Sequence, residues 1–518
     1  MRLIDYFDAS AQSYPSKTAF VQPDGARLTY AEVQQQSRVI TAALHASGLT
    51  GTGKVAVYSP NDARAFIAML AIFRSGRIWV PLNARNTVED NSAFVNYTDV
   101  ECLFYHSNFE NEVQQLRASA PQLTQCICLD RDGGLGPSLS EFSSAAPSFC
   151  PDIPDDPERP CNILATGGTT GRSKGAVWTN LTWETLIASF WTSVDATGAS
   201  PVHLCVAPMT HGAGVLALML MPKAPTNVIL DKADPKSILA AIETHGVTHL
   251  YLPPTVLYAL LSSPELPATK LESLKFFLIS AAPVAPEKLR TAVQAFGPVM
   301  AQAFGQAEAP FFLTFLSAED HRLATRDQGS ERLGSCGRPT MFSRVEIMNE
   351  AGDLMPPRAM GEIVARSNLV MKEYYKDPEA TKAVSAFGWH HTGDIGFKDE
   401  EGYVYIVDRK RDMIISGGFN VFSTEVEAHL LAHKAVQDCA VIGVPEEKWG
   451  EAVTAVVELR AGTAATPDEL IAFCRPALGG VKTPKHIEIW PTLPRSPVGK
   501  VLKRAIRDRY WVGRNRAV

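Results

Sequence analysis

The chain has 518 residues, of which 46% are hydrophobic and 20% are charged, so it is long enough for more than one domain with its own core. A formal net charge of -6 argues against a surface that binds nucleic acid or an anionic membrane. Nine scattered cysteines without a Cys-x-x-Cys pair exclude a zinc ribbon or redox dithiol of that type. The cysteine pattern, the N-terminus and the lack of a membrane-length apolar run together lead us to expect a cytoplasmic protein.

The first regular elements indicate a parallel sheet. Residues 54–59 are predicted to form a strand, residues 62–75 a helix and residues 77–82 a second strand. A strand, a helix and a strand in this order are typical of a βαβ unit, whose two strands run parallel.

A stretch rich in glycine and threonine follows, between predicted strands at residues 162–165 and 176–178. Its sequence is Thr166-Gly167-Gly168-Thr169-Thr170-Gly171-Arg172-Ser173-Lys174-Gly175. Glycines let backbone N–H groups approach a phosphate, threonine hydroxyls add donors, and Lys174 supplies a mobile cation. The pattern differs from the common nucleotide-binding loop, and the same composition is also typical of a mobile turn.

Strands and helices then alternate with great regularity. Strands are predicted at residues 202–207, 227–230, 247–252, 274–279 and 299–304, with helices at 214–221, 235–245, 255–261 and 286–295 between them. Ligands of open parallel sheets bind beyond the carboxyl ends of the strands. The segments at those ends are small or polar, as a pocket requires: Thr210-His211-Gly212, Pro253-Pro254, Ala281-Ala282-Pro283 and Gly305-Gln306-Ala307-Glu308.

Two residues at these strand ends have two interpretations each. Glu308 is a lone acid that suits a magnesium ion near phosphates, since hard cations take carboxylate oxygens. The alternative is an acid at a helix start or a solvated loop charge. His211 suits a residue that gates a pocket or orients a carboxylate, and the alternative is a turn histidine with its hydrogen bonds satisfied.

The pattern changes after residue 337 to short strands and turns, for example at residues 361–365 and 402–407. A charged cluster, Asp408-Arg409-Lys410-Arg411-Asp412, is followed by Ser416-Gly417-Gly418 and indicates a domain junction. Beyond it, we expect a helix that runs to residue 433, with capping-box spacing at Thr424 and Glu427. This helix would form a small α+β unit with strands at 440–442, 454–459 and 486–490 and a helix at 467–474. We expect domains at residues 1–410 and 411–518.

Three charged residues in this half are candidates for the site. Asp394 follows the turn-rich segment Gly388-Trp389-His390-His391-Thr392-Gly393. Its carboxylate could accept hydrogen bonds from ribose hydroxyls, and the alternative is an Asx turn that satisfies its own backbone. Arg409 suits ribose or phosphate oxygens, or else a surface salt bridge with Asp408 or Asp412. Lys500 lies in a rigid turn of proline and glycine, from which its ammonium could contact a developing oxyanion or a leaving phosphate. The alternative is an ordinary exposed lysine.

Together these segments resemble the adenylate-forming superfamily, which contains acyl-CoA synthetases, adenylation domains of non-ribosomal peptide synthesis and firefly-type luciferases. The resemblance spans essentially the whole chain, in the family's order. It implies an α/β fold: a large N-terminal domain of parallel-rich sheets with flanking helices and a small β-barrel-like subdomain, followed by a small mobile α+β domain. It also implies that ATP and a carboxylate form an acyl-adenylate, after which a thiol, usually that of CoA, displaces AMP.

The resemblance assigns a role to each motif. Glu308 would bind Mg²⁺, Lys500 would bridge the carboxylate and the α-phosphate, and Thr169 and His211 complete the expected catalytic set. The nucleotide would be held by Thr166, Gly167, Gly168, Thr170, Gly171 and Lys174 at the phosphates, by Ser280, Ala281, Ala282, Pro283, Phe304, Gly305, Gln306 and Ala307 around the base and the α-phosphate, and by Asp394 and Arg409 at the ribose. The C-terminal domain would rotate about Arg411, and Gly417, Gly418 and Trp449 would then line the thiol channel.

Five departures from the family pattern affect these roles. Ala307 stands where a threonine usually bonds the AMP phosphate, a hydrogen bond worth roughly 1.5–3 kcal/mol. Phe304 replaces a frequent tyrosine, Gly167 and Ser173 replace the usual Ser and Pro, and Phe419 replaces a common glutamate near the thiol channel.

The acid is expected to lie in a pocket of small and apolar residues: Trp191, Gly212, Ala213, Gly214, Ala309 and Phe311. No arginine there would pair a second carboxylate, and no acid would pair an amino group, so diacids and amino acids are disfavoured. We therefore expect an apolar monocarboxylate, either a medium- or long-chain fatty acid or an aryl or alicyclic acid. The alternatives are an acyl-AMP ligase that serves a carrier-protein thiol and a non-catalytic acyl- or nucleotide-binding protein; a homodimer is left open.

Overall fold

The computed structural model describes residues 1–49, 51–148, 151–166, 173–194, 200–230, 232–327, 330–495 and 501–512. Its contacts divide the chain into two compact units. The first contains Met1–Val345 and Ala365–His390, and the second contains Glu346–Val364 and His391–Val518.

A nine-stranded sheet dominates the first unit. Its strands, in spatial order, are Arg338–Pro339, Ala309–Leu316, Met300–Gln306, Phe276–Ile279, His249–Leu252, Val202–Cys205, Thr226–Ile229, Thr18–Val21 and Arg27–Thr29. The six strands from Met300–Gln306 to Thr18–Val21 are mutually parallel, and the outer pairings are antiparallel. The parallel sheet predicted from the alternating strands and helices is therefore confirmed.

Side-chain alternation gives this sheet two buried faces. Leu204, Leu250 and Phe277 belong to one apolar cluster, whereas their strand neighbours Cys205 and Phe276 belong to another. Both faces are apolar because helices cover them, as is usual for parallel sheets. The second cluster also contains residues of the helices Asn180–Ser193 and Gly212–Leu220.

A seven-stranded sheet in the same unit contains the predicted βαβ pattern. Its order is Glu373–Tyr374, Gly175–Thr179, Pro160–Ala165, Ile78–Pro81, Lys54–Tyr58, Val100–Tyr105 and Gln125–Cys128. Helix Ala63–Arg74 connects two of its parallel strands, and the Asp62 carboxylate caps that helix by accepting from the Arg64 N–H. Strands Pro160–Ala165 and Gly175–Thr179 form an antiparallel hairpin around the Gly/Thr stretch.

The other helices of the first unit connect or cover these strands. They are Leu3–Ser13, Tyr30–Ala46, Val88–Tyr97, Glu110–Ser119, Leu139–Ser144, Pro235–His245, Pro254–Leu261, Pro286–Phe296, Ala318–Arg326 and Pro378–Ala383, with 3-10 turns at Ser107–Phe109, Met221–Lys223, Leu266–Ala268, Glu331–Gly334 and Ala386–Gly388. In the part of the chain that the structure describes, no helix is both long and apolar enough to cross a bilayer.

Two further sheets follow in the second half of the chain. A four-stranded sheet, where a barrel-like subdomain was expected, contains Ser343–Met348, Gly361–Ser367, His390–Lys398 and Val404–Arg409. A five-stranded sheet of the second unit contains Phe419–Val421, Ile414–Ser416, Gly450–Leu459, Val436–Glu446 and His486–Ile489. Helices Ser423–Leu431 and Pro467–Lys482 contribute buried residues to its core, and Lys503–Arg507 is the last described helix.

The predicted capping box at Thr424 and Glu427 is wrong. The helix begins at Ser423, and its N-cap Phe422 makes no side-chain cap. Thr424 donates its hydroxyl to the Val407 carbonyl instead, and the Glu427 carboxylate accepts the Val441 N–H and pairs with Lys503. Both side chains bind residues that are distant in sequence instead of capping the helix, and local spacing does not reveal these partners.

Candidate active site

The carboxyl ends of the parallel strands meet at one edge of the nine-stranded sheet, as predicted. Strands that end at Ile279 and Gln306 are neighbours there, and the Ser280 hydroxyl donates a 2.8 Å hydrogen bond to the Ala303 carbonyl between them. The next residue, Ala281, has a φ of +78°, which L-residues adopt at a cost of about 1–3 kcal/mol. Such strain is found mainly where function requires a fixed backbone, and here it lies in the segment expected to contact adenine.

Tyr251, which the sequence interpretation missed, lies between two segments that were expected to form the acid pocket. A Cβ at Gly212 would lie 2.2 Å from Cε1 of Tyr251, so only glycine fits against this ring. The Tyr251 ring also makes an edge contact with Phe311, at 5.8 Å between centroids. Tyr251 therefore joins two predicted pocket segments. Its strand was predicted, but its choice of partners depends on the tertiary fold.

Other expected pocket residues are closely packed. Gly214 lies against the Met209 backbone, where a Cβ would come within 1.7 Å of the Met209 carbonyl oxygen. Ala213 and Ala309 are buried. The half-buried Trp191 donates its indole N–H to the Met219 carbonyl at 2.8 Å, so the rest of its ring is an apolar surface.

His211 immediately precedes helix Gly212–Leu220. Its Nδ1 lies 3.1 Å from the Thr210 hydroxyl oxygen. Desolvation lowers the pKa of the imidazole to about 4, so the ring is neutral at pH 7. A neutral imidazole can accept or donate a hydrogen bond but cannot pair a carboxylate by charge.

Glu308 lies in the tight turn between strands Met300–Gln306 and Ala309–Leu316. It starts no helix, and its side chain is half-buried. Gly305 is required before the turn, since a Cβ there would lie 2.3 Å from the Phe311 nitrogen. The half-buried Phe304 belongs to the first of these strands.

The neighbouring sheet and the segment before its edge strand hold this turn at three points. The Trp178 indole donates to the Ala307 carbonyl at 2.6 Å, and the Met371 N–H donates to the Glu308 carbonyl at 2.7 Å. The Tyr374 hydroxyl donates a 2.6 Å hydrogen bond to Oε1 of Glu308. Gln306 faces His390, with 3.4 Å between Oε1 and Nε2.

The same tyrosine contacts the end of the Gly/Thr stretch. Tyr374 pairs with Ala176 across the sheet, and the Lys174 ammonium lies 4.9 Å from the centroid of its ring. Lys174 is thereby placed close to the Glu308 turn. The buried Thr166 donates its N–H to the Lys174 carbonyl at 2.8 Å and closes the base of the stretch. Sequence interpretation missed Tyr374, because its role depends on a strand of only two residues.

Several expected site residues lie outside the described residues. They are Gly167, Gly168, Thr169, Thr170, Gly171 and Lys500.

Asp394 and Arg409 form an ion pair in the second unit, in which the carboxylate is buried and the guanidinium is partly exposed. They are cross-strand partners, with Arg409 Nε 2.8 Å from Asp394 Oδ1, and the Asp394 carboxylate is almost fully buried. The suggested alternative partners of Arg409 are wrong: Asp408 accepts from Ser423, and Asp412 contacts Arg507. Two predicted nucleotide residues are thus brought together.

The residues around the expected hinge are held on both sides. The Lys410 N–H donates to the Gly393 carbonyl at 2.9 Å, and its ammonium lies 3.1 Å from Glu362 Oε2. Burial opposes ionisation of Glu362, but hydrogen bonds from His391 and Lys410 outweigh it and lower its pKa. On the other side, Arg507 donates to the Arg411 carbonyl at 3.1 Å.

The expected thiol-channel residues are also adjacent. The Gly417 N–H donates to the Trp449 carbonyl at 2.8 Å, and Gly417 and Gly418 have φ values of +59° and +81°. The ammonium of Lys448 lies 5.0 Å from the centroid of the partly exposed Trp449 ring, and that of Lys485 lies 5.4 Å from it. Phe419 is 62% exposed, which is unusual for an aromatic ring.

This fold and the arrangement of its motifs define an adenylate-forming enzyme. The chain belongs to the AMP-binding enzyme family: the family model matches residues 7–375, and the model of the family's C-terminal domain matches residues 425–500. The resemblance inferred from the motifs is confirmed, and the protein is of the acyl-CoA synthetase type.

Similar proteins differ in the acids that their names specify. The chain is 33% identical to a feruloyl-CoA synthase of Amycolatopsis sp, over 96% of this chain and 97% of that protein. It is 38% identical to the medium/long-chain-fatty-acid–CoA ligase FadD8 of Mycobacterium tuberculosis, over 72% of this chain but only 65% of the relative's length. The solved structure of the amide bond synthetase McbA from Marinactinospora thermotolerans is 28% identical, with a TM-score of 0.86, over 98% of this chain and all of that one.

Proposed function

We propose that this protein activates an apolar monocarboxylic acid as its acyl-adenylate and transfers the acyl group to CoA. The substrate is a medium- or long-chain fatty acid or an aryl or alicyclic acid. The observation that carries this substrate class is the packing of aromatic and small residues at the sheet edge. Tyr251, Phe311 and Trp191 contribute rings, and His211 is neutral at pH 7, so these residues offer no cation to a second carboxylate.

In the first half-reaction, a carboxylate oxygen of the acid attacks the α-phosphorus of ATP, and pyrophosphate leaves. The geometry around Glu308 supports a role near the phosphates, because Lys174 and the Glu308 carboxylate contact the same tyrosine. A single carboxylate fits Mg²⁺, which usually takes one or two carboxylates together with substrate phosphates and waters. Bound there, Mg²⁺ would neutralise phosphate charge.

The remaining nucleotide contacts follow from the motifs. Ser280, Ala281, Ala282, Pro283 and Phe304 would hold adenine, and Asp394 would accept the ribose hydroxyls while Arg409 orients its carboxylate. Thr166 and the Gly/Thr stretch would bind the phosphates. Gly305, Gln306 and Ala307 would pass close to the α-phosphate, and Lys500 would bridge it to the acid.

In the second half-reaction, the CoA sulfur attacks the acyl carbonyl carbon and AMP leaves with the electron pair. Gly417, Gly418 and Trp449 would line the approach of the thiol. The lysines beside the Trp449 ring support CoA, whose phosphates are anionic, over a neutral thiol. An acceptor thiol on a carrier protein is the second candidate, favoured by the exposed Phe419.

We propose the domains 1–410 and 411–518, with Arg411 as the pivot of the movement between half-reactions. Hydrogen bonds support this pivot. Lys410 is bound to Gly393 and Glu362, whereas the Arg411 carbonyl is bound to Arg507. The backbone torsions of Arg411 lie between these two anchored points. We place the reaction in the reducing cytoplasm, in keeping with the free state of all eight cysteines among the described residues.

Exchange of labelled pyrophosphate into ATP tests the first half-reaction and the substrate class together. Octanoate, palmitate, cinnamate and cyclohexanecarboxylate are compared with malonate and alanine. We expect exchange with at least one apolar acid and none with malonate or alanine. Exchange with malonate or alanine alone would refute the proposed pocket chemistry. A Lys500→Ala variant is expected to lose exchange, and unchanged exchange would refute the role of that lysine.

A further inference from the structure

Tyr374 lies where the two sheets of the first unit meet. Its strand of two residues, Glu373–Tyr374, is an edge strand that pairs with Gly175–Thr179 immediately after the Gly/Thr stretch. The preceding Met371 N–H binds the Glu308 carbonyl of the other sheet. The side chain of Tyr374 is 6% exposed, so both its hydroxyl and its ring have fixed surroundings.

The hydroxyl of Tyr374 orients one oxygen of the Glu308 carboxylate. The Tyr374 hydroxyl is the donor of this hydrogen bond, because a carboxylate oxygen only accepts. The 2.6 Å hydrogen bond occupies Oε1, whereas Oε2 has no hydrogen-bond partner among the residues that the structure describes. The carboxylate is thus held with one oxygen still available to a cation.

The ring of Tyr374 contacts the Lys174 ammonium at a distance typical of a cation–π interaction. Lys174 and Glu308 both touch this tyrosine, yet they form no ion pair with each other within the described structure. A direct ion pair would neutralise both groups. Neither would then be fully available to a phosphate or a metal ion.

We propose that Tyr374 is a positioning residue that orients Glu308 toward Mg²⁺ and keeps Lys174 separate from it. The inference rests on the proposed binding of Mg·ATP near Glu308. Residues that orient a metal ligand through a hydrogen bond typically contribute 10- to 100-fold to metal affinity. The hydroxyl and the ring have different functions here, so two substitutions separate them.

Calorimetric titration with ATP, in the presence of Mg²⁺ or of EDTA, measures these functions without catalysis. Tyr374→Phe removes only the hydroxyl, and we expect Mg²⁺-dependent ATP affinity to fall roughly 10-fold while affinity in EDTA is unchanged. Tyr374→Leu also removes the ring, so Lys174 can pair with Glu308, and affinity should fall in EDTA as well.

The neighbouring Tyr375 provides a matched control, because its hydroxyl also donates to a carboxylate, that of Asp99, at 2.8 Å. Tyr375→Phe should leave ATP affinity unchanged under both conditions. Circular dichroism spectra and melting temperatures of all variants verify the fold. If Tyr374→Phe fails to fold, incorporation of 4-fluorophenylalanine at position 374 removes the hydroxyl donor and keeps the ring.

A Glu308→Gln variant separates failure of this inference from failure of the proposed function. If Glu308→Gln weakens Mg²⁺-dependent binding but Tyr374→Phe does not, the positioning role is refuted and the metal role of Glu308 stands. If Glu308→Gln has no effect, both fail. In the double variant, we expect no loss beyond that of Glu308→Gln alone, because the hydroxyl acts through this carboxylate; an additive loss would also refute the inference.

Discussion

Arg409 and Asp394 face each other across two antiparallel strands, with Arg409 Nε 2.8 Å from Asp394 Oδ1. The carboxylate is buried while the guanidinium reaches solvent. In this arrangement the arginine holds one carboxylate oxygen in place, as the proposed acceptor of ribose hydroxyls requires.

We therefore expect Asp394→Asn to weaken ATP binding roughly 10- to 100-fold, since a hydrogen bond to a charged group contributes about 1.5–3 kcal/mol. Fluorescence or calorimetric titration measures the Kd. Asp399→Asn is the matched control: Asp399 is also buried, and its carboxylate accepts the N–H groups of Glu401 and Tyr403. The control should lower the melting temperature and leave the Kd unchanged. Equal Kd values for Asp394→Asn and the wild type would contradict the ribose role.

The alanine at position 307 predicts a gain of function on substitution. Ala307→Thr would restore a hydroxyl beside the expected α-phosphate and strengthen retention of the acyl-adenylate by up to about 1.5–3 kcal/mol. Ala307→Val has the same shape without the hydroxyl and should give no such gain. Off-rates of a non-hydrolysable acyl-adenylate analogue measure the difference. Identical off-rates for the threonine and valine variants would show that no phosphate lies within reach of position 307.

Gly212 and Tyr251 predict a change in acid preference. Gly212→Ala should abolish activity with bulky acids, because its Cβ would collide with the Tyr251 ring and force it to move. A second change, Tyr251→Leu, makes room for the Cβ and should restore activity, with a preference for acids of different length or shape. The ratio of kcat/KM across a series of acids provides the readout. Failure of the double variant to recover, despite a normal fold, would place the acid elsewhere.

Lys503 and Glu427 form a buried ion pair, with Nζ 2.8 Å from Oε1. Lys503→Met should destabilise the protein by about 3–5 kcal/mol, because it leaves a buried carboxylate without its partner, and Glu427→Met in addition should recover most of the loss. Chemical unfolding of the two single variants and the double variant measures this coupling. Additive losses would mean that the two charges do not interact.

The stability loss of the Lys503→Met variant should depend on pH. Burial already raises the pKa of Glu427 to about 6, above its ordinary value of 4.5, despite the lysine. A group whose pKa is raised on folding favours the folded state at low pH and disfavours it as the pH rises through that interval. The deficit of Lys503→Met should therefore shrink between pH 7 and pH 5. A deficit that grows on acidification would be incompatible with a buried, protonatable Glu427.

Buried histidines predict loss of stability in acid. Burial lowers the pKa values of His203 and His321 to about 4 and that of His249 to about 3. In the unfolded chain these histidines bind protons near pH 6.5, whereas in the folded chain they stay neutral. The free energy of unfolding therefore keeps its full histidine contribution above pH 6.5, and below that pH it falls by about 1.4 kcal/mol per histidine and pH unit. Urea unfolding from pH 7.5 to pH 5 tests this slope. In His249→Gln the slope should decrease by one proton, and an unchanged slope would indicate that His249 is already protonated in the folded protein.

Much of the first unit could be predicted because local signals and burial agree. Helix Pro235–His245 has the predicted bounds, since Asp234 caps it, proline occupies its first turn and Gly246 ends it with a φ of +60°. The parallel strands followed from short apolar runs between helices. Their carboxyl ends then necessarily gathered the expected pocket segments at one edge.

Sequence patterns could not predict which residues contact each other between distant parts of the chain. Tyr251 and Tyr374 are adjacent to predicted elements, but their contacts with Gly212 and Glu308 cross 39 and 66 residues of chain. Glu427 has the spacing of a capping box, yet its carboxylate is buried against Lys503, 76 residues later. Such contacts depend on how sheets and helices pack, which local periodicity does not encode.

The central claim is that one enzyme makes an acyl-adenylate and then an acyl-CoA from an apolar acid. Incubation with ATP, Mg²⁺ and a mixed panel of carboxylic acids, with and without CoA, followed by mass spectrometry, tests it most directly. We predict acyl-AMP without CoA and acyl-CoA of an apolar monocarboxylate when CoA is present. Acyl-AMP under both conditions would contradict CoA as the acceptor, and neither product with any acid of the panel would contradict the ligase assignment.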